Sequence, residues 1–344
     1  MESNRIWHDP VVEIFSNLVT PGVCCSAEAY DLANRRWYRL EVDAEVLDED
    51  WLSSTVAKHV RESYAANKEV PPWNTIKTTA RGSPVTFETK PDDRVDRLIT
   101  KSLSYGSEAT NKLPTTTFDQ LESLTYISRS ADRCTWHGKD CVFKRIEFNV
   151  DIKPIMKEIR IRETLIDAIG PVGIADVNAE ITRRFLVVPV LAVVIGNLKP
   201  WKPGTVAGVL MLFAGPDLEI LARDADVALP ITERQLRDLV RGVRDLGKCG
   251  VEHGDIKYWN TVLQPAEEDD AAAAAKLLLI DLGSVAPEYD GDAKALGALL
   301  LWCLERAPTL KENEAARARV DAAAAALAEE DFDAALESLS PGDA

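Results

Sequence analysis

The chain has 344 residues, of which 46% are hydrophobic and 28% charged, so its composition is that of a globular protein and excludes a wholly disordered or fibrous one. Acidic residues outnumber basic residues 56 to 40, which gives a formal net charge of −16. Because such a surface repels nucleic-acid backbones and anionic lipid headgroups, we expect no nucleic acid and no membrane as the main partner.

The six cysteines and four histidines have no spacing typical of a zinc site or of a disulfide framework. The first residues lack a basic segment followed by a long apolar core, and the apolar stretch at 185–196 is too short to cross a bilayer. These features predict an intracellular protein, cytoplasmic or nuclear, with reduced cysteines.

Residues 1–118 give little regular pattern. They predict a strand at 37–42 and a helix at 50–66, which Pro71 and Pro72 follow. The stretch 77–117 is rich in Thr, Ser, Pro and charged residues, a composition typical of loops or a linker. We interpret residues 1–118 as an N-terminal extension of unknown role.

A clearer pattern begins at Phe118. Alternating apolar residues predict strands at 124–128, 133–137 and 141–146, with a tight turn at 138–140 between the last two. A helical stripe follows, made of Ile155, Ile159, Arg162 and Ile166. Two longer apolar segments, 185–195 and 206–213, predict two more strands.

The second half of the chain is mostly helical in pattern. Thr232 is the predicted N-cap of a helix whose apolar face consists of Leu236, Leu239, Val240, Val243 and Leu246. Short strands at 261–263 and 277–280 flank an acidic, alanine-rich loop at 267–275, and further helices are predicted at 296–303 and from residue 315. Because strands precede helices instead of alternating with them, the order predicts an α+β fold.

Several polar residues at strand ends, in a loop and on a helix are suited to phosphoryl transfer, which depends on positioning and charge neutralisation. The segment 253–260, His-Gly-Asp-Ile-Lys-Tyr-Trp-Asn, follows the long helix, and Asp281 follows a short strand. Lys144 lies on a predicted strand and Glu158 on the next helix. The side-chain oxygens of Asn260 and Asp281 are hard ligands that suit Mg²⁺.

In this order, the motifs resemble those of the protein-kinase-like superfamily over about residues 120–306. Residues 253–260 are similar to the catalytic loop H-R-D-L-K-x-x-N, residues 281–283 to D-F-G, and residues 142–144 to the end of V-A-I-K. The resemblance implies a bilobal fold with a small five-stranded antiparallel N-lobe carrying one helix at 119–212. A mostly helical C-lobe with a shortened activation segment would occupy 213–340.

The resemblance also implies that the chain binds ATP and Mg²⁺ and transfers the γ-phosphoryl group to a hydroxyl. The catalytic residues would be Asp255, which takes the hydroxyl proton, together with Lys257, Lys144 and Glu158. Asn260 and Asp281 would hold the metal. The nucleotide would contact Lys144, Ser128, Ser130, Met211, Leu212, Phe213 and Ala214. Glu163, on the same helix, is the alternative to Glu158.

Four features depart from the kinase pattern. Ser128, Ser130 and Arg133 stand where the nucleotide-covering loop has glycines, which predicts a looser or differently shaped cover. Gly254 replaces the catalytic-loop arginine, and Leu282 replaces the phenylalanine of D-F-G. Only eleven positions separate Asp281 from Asp292, too few for the usual peptide-binding segment.

Three functions remain open from the sequence. A protein Ser/Thr substrate is the first choice, because a lysine two residues after the catalytic aspartate is usual in Ser/Thr-type kinases. A small-molecule hydroxyl substrate is the second, because the peptide platform looks missing. A pseudokinase that acts as a nucleotide-binding or scaffold domain is the third, because the cover loop is poor in glycine.

Overall fold

A computed structural model describes residues 4–91, 99, 101–106, 112–170, 174–198, 200–223, 228–266, 275–283 and 285–340. The predicted acidic loop at 267–275, apart from Ala275, lies outside the described residues. The chain divides into two compact units. Unit 1 comprises Met1–Ser104, Thr116–Asp151 and Val194–Gly208, and unit 2 comprises Tyr105–Thr115, Ile152–Val193 and Val209–Ala344.

The first sheet of unit 1 is built from the N-terminal part of the chain. Its strands, in sheet order, are β1 (Val12–Thr20), β2 (Cys24–Asp31), β3 (Arg36–Val42), β4 (Thr75–Thr78) and β5 (Val85–Glu88). Neighbouring strands are antiparallel except β3 and β4, which are parallel and are linked by helix α1 (Glu49–Asn67). Asp48 caps α1 by accepting a hydrogen bond from Trp51 N at 3.0 Å.

This sheet and α1 share one hydrophobic core, in which the helix contributes Leu52, Val56 and Val60 at a spacing of four. The predicted strand at 37–42 and helix at 50–66 are confirmed. The prediction of loops throughout 77–117 is wrong, since parts of β4, all of β5 and a further short strand lie there. Strands as short as β4 and β5 depend on pairing with residues distant in sequence, so the local composition gave no signal for them.

The second sheet has six strands: β6 (Thr115–Thr117), β7 (Glu122–Ser128), β8 (Ala131–Trp136), β9 (Lys139–Arg145), β10 (Val190–Ile195) and β11 (Val206–Leu212). Their order is β6-β10-β11-β9-β8-β7, and β7, β8 and β9 lie wholly within unit 1. Five strands were predicted for this region, and β6 is the additional one. His137 and Gly138, both with positive φ, form the two-residue turn between β8 and β9, one position earlier than predicted.

Unit 2 carries eight α-helices and one hairpin among its described residues. The helices are α2 (Ile152–Ile169), α3 (Ile174–Phe185), α4 (Leu218–Ala222), α5 (Glu233–Lys248), α6 (Asp292–Arg306), α7 (Pro308–Lys311), α8 (Glu314–Ala328) and α9 (Phe332–Ser338). The hairpin pairs β12 (Thr261–Gln264) with β13 (Lys276–Leu279). Thr232 caps α5 in a complete capping box with Gln235, as the sequence predicts for the cap residue.

The α+β class is therefore confirmed, with antiparallel strand pairs and one parallel pair, β3–β4, in the N-terminal sheet. The predicted strand at 185–195 is wrong at its start, because Phe185 is the last residue of α3 and β10 begins at Val190. The apolar segment 185–195 begins at the end of a helix and continues into a strand. Because nearly all its residues are apolar, their spacing does not show where the helix ends and the strand begins. No helix in the described parts of the chain combines the length and apolar character needed to cross a membrane.

Candidate active site

The loop between α5 and β12 brings three of the predicted site residues together within unit 2. Lys257 Nζ lies 2.7 Å from Asp255 Oδ1. Asn260 Nδ2 donates hydrogen bonds to the backbone oxygen and to Oδ2 of Asp255, both at 2.9 Å. A carboxylate, an ammonium group and a carboxamide thus form one cluster.

The cluster results from a tight local fold. Tyr258–Asn260 forms a single turn of 3-10 helix, in which Asn260 N donates to Lys257 O at 3.0 Å. Thr261 Oγ1 donates to the same carbonyl at 2.9 Å. Tyr258 stacks on Trp302 of α6 with the ring centroids 4.7 Å apart, which fixes the turn against the helix. The turn therefore returns Asn260 to the side chain of Asp255.

His253 supports this loop from below as a neutral, buried ring. Its Nδ1 accepts a hydrogen bond from Asp255 N at 3.2 Å, and its Nε2 lies 2.9 Å from Ile280 O. These partners assign the proton to Nε2. Burial lowers the pKa of His253, and the nearby Asp292 only partly offsets that effect. His253 is therefore a structural hydrogen-bonder of this loop.

Asp292, the first residue of α6, anchors the same loop. Its carboxylate accepts hydrogen bonds from His253 N at 2.8 Å and Gly254 N at 3.1 Å, and also from the hydroxyl of Tyr289. The sequence indicated Asp292 only as the start of a helix. Its role in holding the loop depends on contacts across 39 positions, which the sequence pattern does not reveal.

Asp281 directly follows β13 with one of the few positive φ angles at a non-glycine residue, +62°. The preceding Ile280 N donates to Asn260 O at 3.0 Å, and Gly283 N donates to His253 O at 3.3 Å. Gly283 has φ +102°, and a Cβ there would lie 3.3 Å from Glu158 N. Within unit 2, the Asp281 segment therefore runs between the loop at 253–260 and α2.

Glu158 on α2 is fully buried, and Arg162 Nη2 lies 3.4 Å from its Oε1. The sequence placed Arg162 on the apolar stripe of this helix without a charge role. Burial lowers the pKa of Arg162, while Glu158 acts in the opposite direction. The alternative residue, Glu163, accepts a hydrogen bond from Tyr105 Oη at 2.8 Å. The burial of Glu158 beside Gly283 favours Glu158 over Glu163.

The residues predicted to contact adenine lie at the end of β11. Met211 and Leu212 are its last residues, and Phe213 and Ala214 follow directly. Gly215 has φ +118°, and a Cβ there would meet Leu263 O at 2.4 Å. Only glycine permits this close approach, which brings the segment after β11 to the carbonyl of a β12 residue.

The remaining predicted residues lie in unit 1. Lys144 is half-buried on β9 and pairs in register with Ala131 of β8. A Cβ at Gly208 of β11 would lie 2.1 Å from Lys144 O. The absence of a side chain at this glycine therefore lets β11 and β9 approach closely. Ser128 and Ser130 lie at the turn between β7 and β8. Lys144 and this turn are therefore neighbours.

No family model matches the sequence, and a search of curated proteins gives no match. Among the residues that the structure describes, no three or more His, Cys, Asp or Glu side chains are grouped so as to hold a metal ion. Function is therefore inferred from the geometry within each unit and from the resemblance of the motifs.

Proposed function

We propose that this chain is a protein-kinase-like phosphotransferase that transfers the γ-phosphoryl group of Mg·ATP to a hydroxyl, with a protein Ser/Thr hydroxyl as the first substrate class. The observation that carries the proposal is the cluster of Asp255, Lys257 and Asn260 in one rigid loop. Phosphoryl transfer needs these charges and dipoles in fixed positions more than it needs covalent chemistry.

The two carboxylate oxygens of Asp255 have different surroundings. Oδ2 accepts the amide of Asn260, which fixes the orientation of the group. Oδ1 lies beside Lys257 Nζ but accepts no hydrogen bond of regular geometry from the described residues. In the proposed reaction the Asp255 carboxylate orients the acceptor hydroxyl and accepts its proton.

Lys257 supplies positive charge next to that oxygen. Its side chain is 37% exposed, so the ammonium group can reach a bound substrate. The ammonium group also lies 4.9 Å from the ring centroid of Trp259. In the proposed reaction Lys257 neutralises negative charge on the transferring phosphoryl group.

The residues assigned to Mg²⁺ have donor atoms that fit it. The amide nitrogen of Asn260 is already used to hold Asp255, which leaves its carbonyl oxygen as the free face of that side chain. Asp281 adds a carboxylate, and Mg²⁺ is usually held by one or two carboxylates together with substrate phosphates. When bound, the ion would neutralise charge on the phosphates.

Lys144 and Glu158 complete the proposal from the resemblance to kinases. Lys144 would bind the α- and β-phosphates, and Glu158 would be the helix glutamate of the kinase pattern. Met211, Leu212, Phe213 and Ala214 would contact the adenine, and Ser128 and Ser130 the phosphates.

Transfer of label from [γ-³²P]ATP tests the proposal directly. Wild type should label itself, a generic protein substrate or a hydroxyl compound in the presence of Mg²⁺. Asp255→Asn should lower kcat on the order of 10²- to 10⁴-fold, the usual contribution of a general base. Asp290→Asn, at an exposed aspartate of the same region, is the matched control and should keep full activity. If wild type transfers no label to any acceptor, the proposed phosphotransferase activity is refuted.

A small-molecule hydroxyl is the second candidate substrate, and the segment after Gly283 favours it. Ala286 N donates to Gly254 O at 3.1 Å, and the Tyr289 hydroxyl bonds to Asp292. Residues 286–292 are therefore held against the catalytic loop and do not extend as a peptide platform. Separation of labelled protein from labelled small compounds in the same assay distinguishes the two classes, and Mg·ATP binding without transfer indicates a pseudokinase.

A further inference from the structure

The turn between β7 and β8 is held by a residue of the N-terminal sheet. Arg35, between β2 and β3, donates from Nη2 to Ser128 O at 3.0 Å and from Nη1 to Arg129 O. The same Nη2 donates to Asp132 Oδ1 at 3.1 Å, directly after the turn. Two successive carbonyls of a turn without glycine are thus bound by one guanidinium group.

We propose that Arg35 is a positioning residue for the nucleotide phosphates, an inference that rests on the proposed phosphotransferase function. In the nucleotide-covering loop of the kinase pattern, glycines let the backbone approach the phosphates. Here Arg35 binds the carbonyl side of the turn and so holds the backbone in position; we call this contact the clamp. The N-terminal extension is then a part of the nucleotide site.

The orientation of the peptide groups supports this role. In a trans peptide the carbonyl of one residue and the N–H of the next point in opposite directions. Because the carbonyls of Ser128 and Arg129 point at Arg35, the N–H groups of Arg129 and Ser130 point away from it. Successive N–H groups that share a direction form a backbone site suited to an anion.

The clamp is rigid because Arg35 is itself held. Its side chain is 3% exposed, and Asp132 also binds Arg5 at 2.6 Å and Arg145 at 2.8 Å. Arg145 is bonded to Glu147 in turn, at 2.6 Å. Three guanidinium groups and two carboxylates therefore form one buried network that joins the N-terminal segment to β8 and β9.

The same network connects the turn to the candidate phosphate-binding lysine. Arg145 directly follows Lys144, and its backbone N donates to Ser130 O at 2.8 Å. The guanidinium of Arg129 lies 4.9 Å from the ring centroid of Phe148, on the segment that follows β9. The hydrogen bond from Arg145 N and the contact between Arg129 and Phe148 thus hold the turn close to Lys144.

Replacement of Arg35 should loosen the turn without unfolding unit 1. The network has one more cation than anion, so Arg35→Ala leaves Asp132 paired with Arg5 and Arg145. Arg35→Lys keeps the charge but has no planar fork that reaches two carbonyls. Arg36→Ala is the matched control, because the neighbouring Arg36 donates instead to Trp73 O, at 3.3 Å.

The test measures hydrogen exchange at the amides of residues 129–131 without nucleotide, and the Kd of Mg·ATP. Both Arg35 variants should exchange faster at these amides and bind Mg·ATP about 10-fold more weakly, a change equivalent to about 1.4 kcal/mol. The control should match wild type, and kcat at saturating Mg·ATP should change less than the Kd. If Arg35→Ala does not fold, Arg35→Lys carries the same expectations.

The outcomes separate this inference from the proposed function. If wild type binds Mg·ATP and the Arg35 variants bind it equally well, the role of Arg35 is overturned and the proposed function is not. Unchanged exchange at the turn in both variants also overturns it, because the clamp would then not hold the backbone. Wild type that binds no Mg·ATP overturns the proposed function and, with it, any nucleotide role for Arg35.

Discussion

Asp132 should be one of the most sensitive positions of unit 1. It is fully buried, and its carboxylate lies 2.6 Å, 3.1 Å and 2.8 Å from nitrogens of Arg5, Arg35 and Arg145. Burial alone would raise the pKa of Asp132, but the three guanidinium groups outweigh it and hold that pKa well below its usual range. Asp132→Ala leaves buried cations without their main anion.

Removal of one partner from a buried ion pair costs about 3–5 kcal/mol. We expect Asp132→Ala to lower the free energy of unfolding of unit 1 by this amount, measured by urea denaturation with tryptophan fluorescence. Because the folded pKa of Asp132 is depressed, its stabilisation is present above about pH 4 and is lost as the pH falls further. The free energy of unfolding of Asp132→Asn should therefore change less with pH below about pH 4 than that of wild type.

Asp140→Ala provides the control for this experiment. Asp140 accepts from Arg133 Nε at 2.8 Å, but both side chains are about half exposed. Surface pairs contribute about 0–1 kcal/mol, so this variant should stay close to wild type. If Asp132→Ala and Asp140→Ala differ by less than about 0.5 kcal/mol, within the range of ordinary surface substitutions, the buried network does not stabilise the unit as argued.

Three further predictions concern unit 2. Gly283→Ala should lower Tm more than Gly291→Ala, because both have φ near +100° but only the Cβ at 283 meets α2; equal losses would contradict the packing argument. Because burial lowers the pKa of His253, its stabilisation is present above about pH 6.5 and is lost at lower pH, by up to about 1.4 kcal/mol per pH unit. Chemical denaturation between about pH 5 and pH 7.5 should show a shallower slope for His253→Gln, whereas His137→Asn at an exposed turn should keep the wild-type slope. Glu158→Gln leaves Arg162 buried without its carboxylate and should cost about 3–5 kcal/mol by calorimetry, and no loss would show that Arg162 is held elsewhere.

The regular parts of the fold were predictable because their signal is local. The apolar stripe of α5 and the cap at Thr232 are contained within the helix itself, and all five predicted stripe residues are buried. The alternation in β9 is likewise local, and Cys141 and Phe143 lie on its buried face. The motif at 253–260 predicted a catalytic loop, and the structure places three of its polar side chains in contact.

The missed N-terminal sheet and the missed Arg35–Asp132 pair depend on contacts between residues distant in sequence. The N-terminal sheet depends on β4 pairing with β3 across α1, and a four-residue strand has too little pattern to indicate a partner. Arg35 and Asp132 are separated by 97 positions, and each looks like an ordinary surface charge in its own segment. Arg162 occupies an apolar helical position, where a charge is normally expected only with a buried partner.

The central claim is that Lys144 lies at the phosphates of a bound nucleotide. An acyl-phosphate derivative of ATP, which acylates lysines next to its phosphates, tests this claim by mass-spectrometric mapping of labelled peptides. We predict labelling of Lys144 that excess Mg·ATP suppresses, with unprotected background labelling at the exposed Lys139 of the same strand. Labelling of Lys144 that is no stronger than at Lys139, and insensitive to Mg·ATP, would contradict the account.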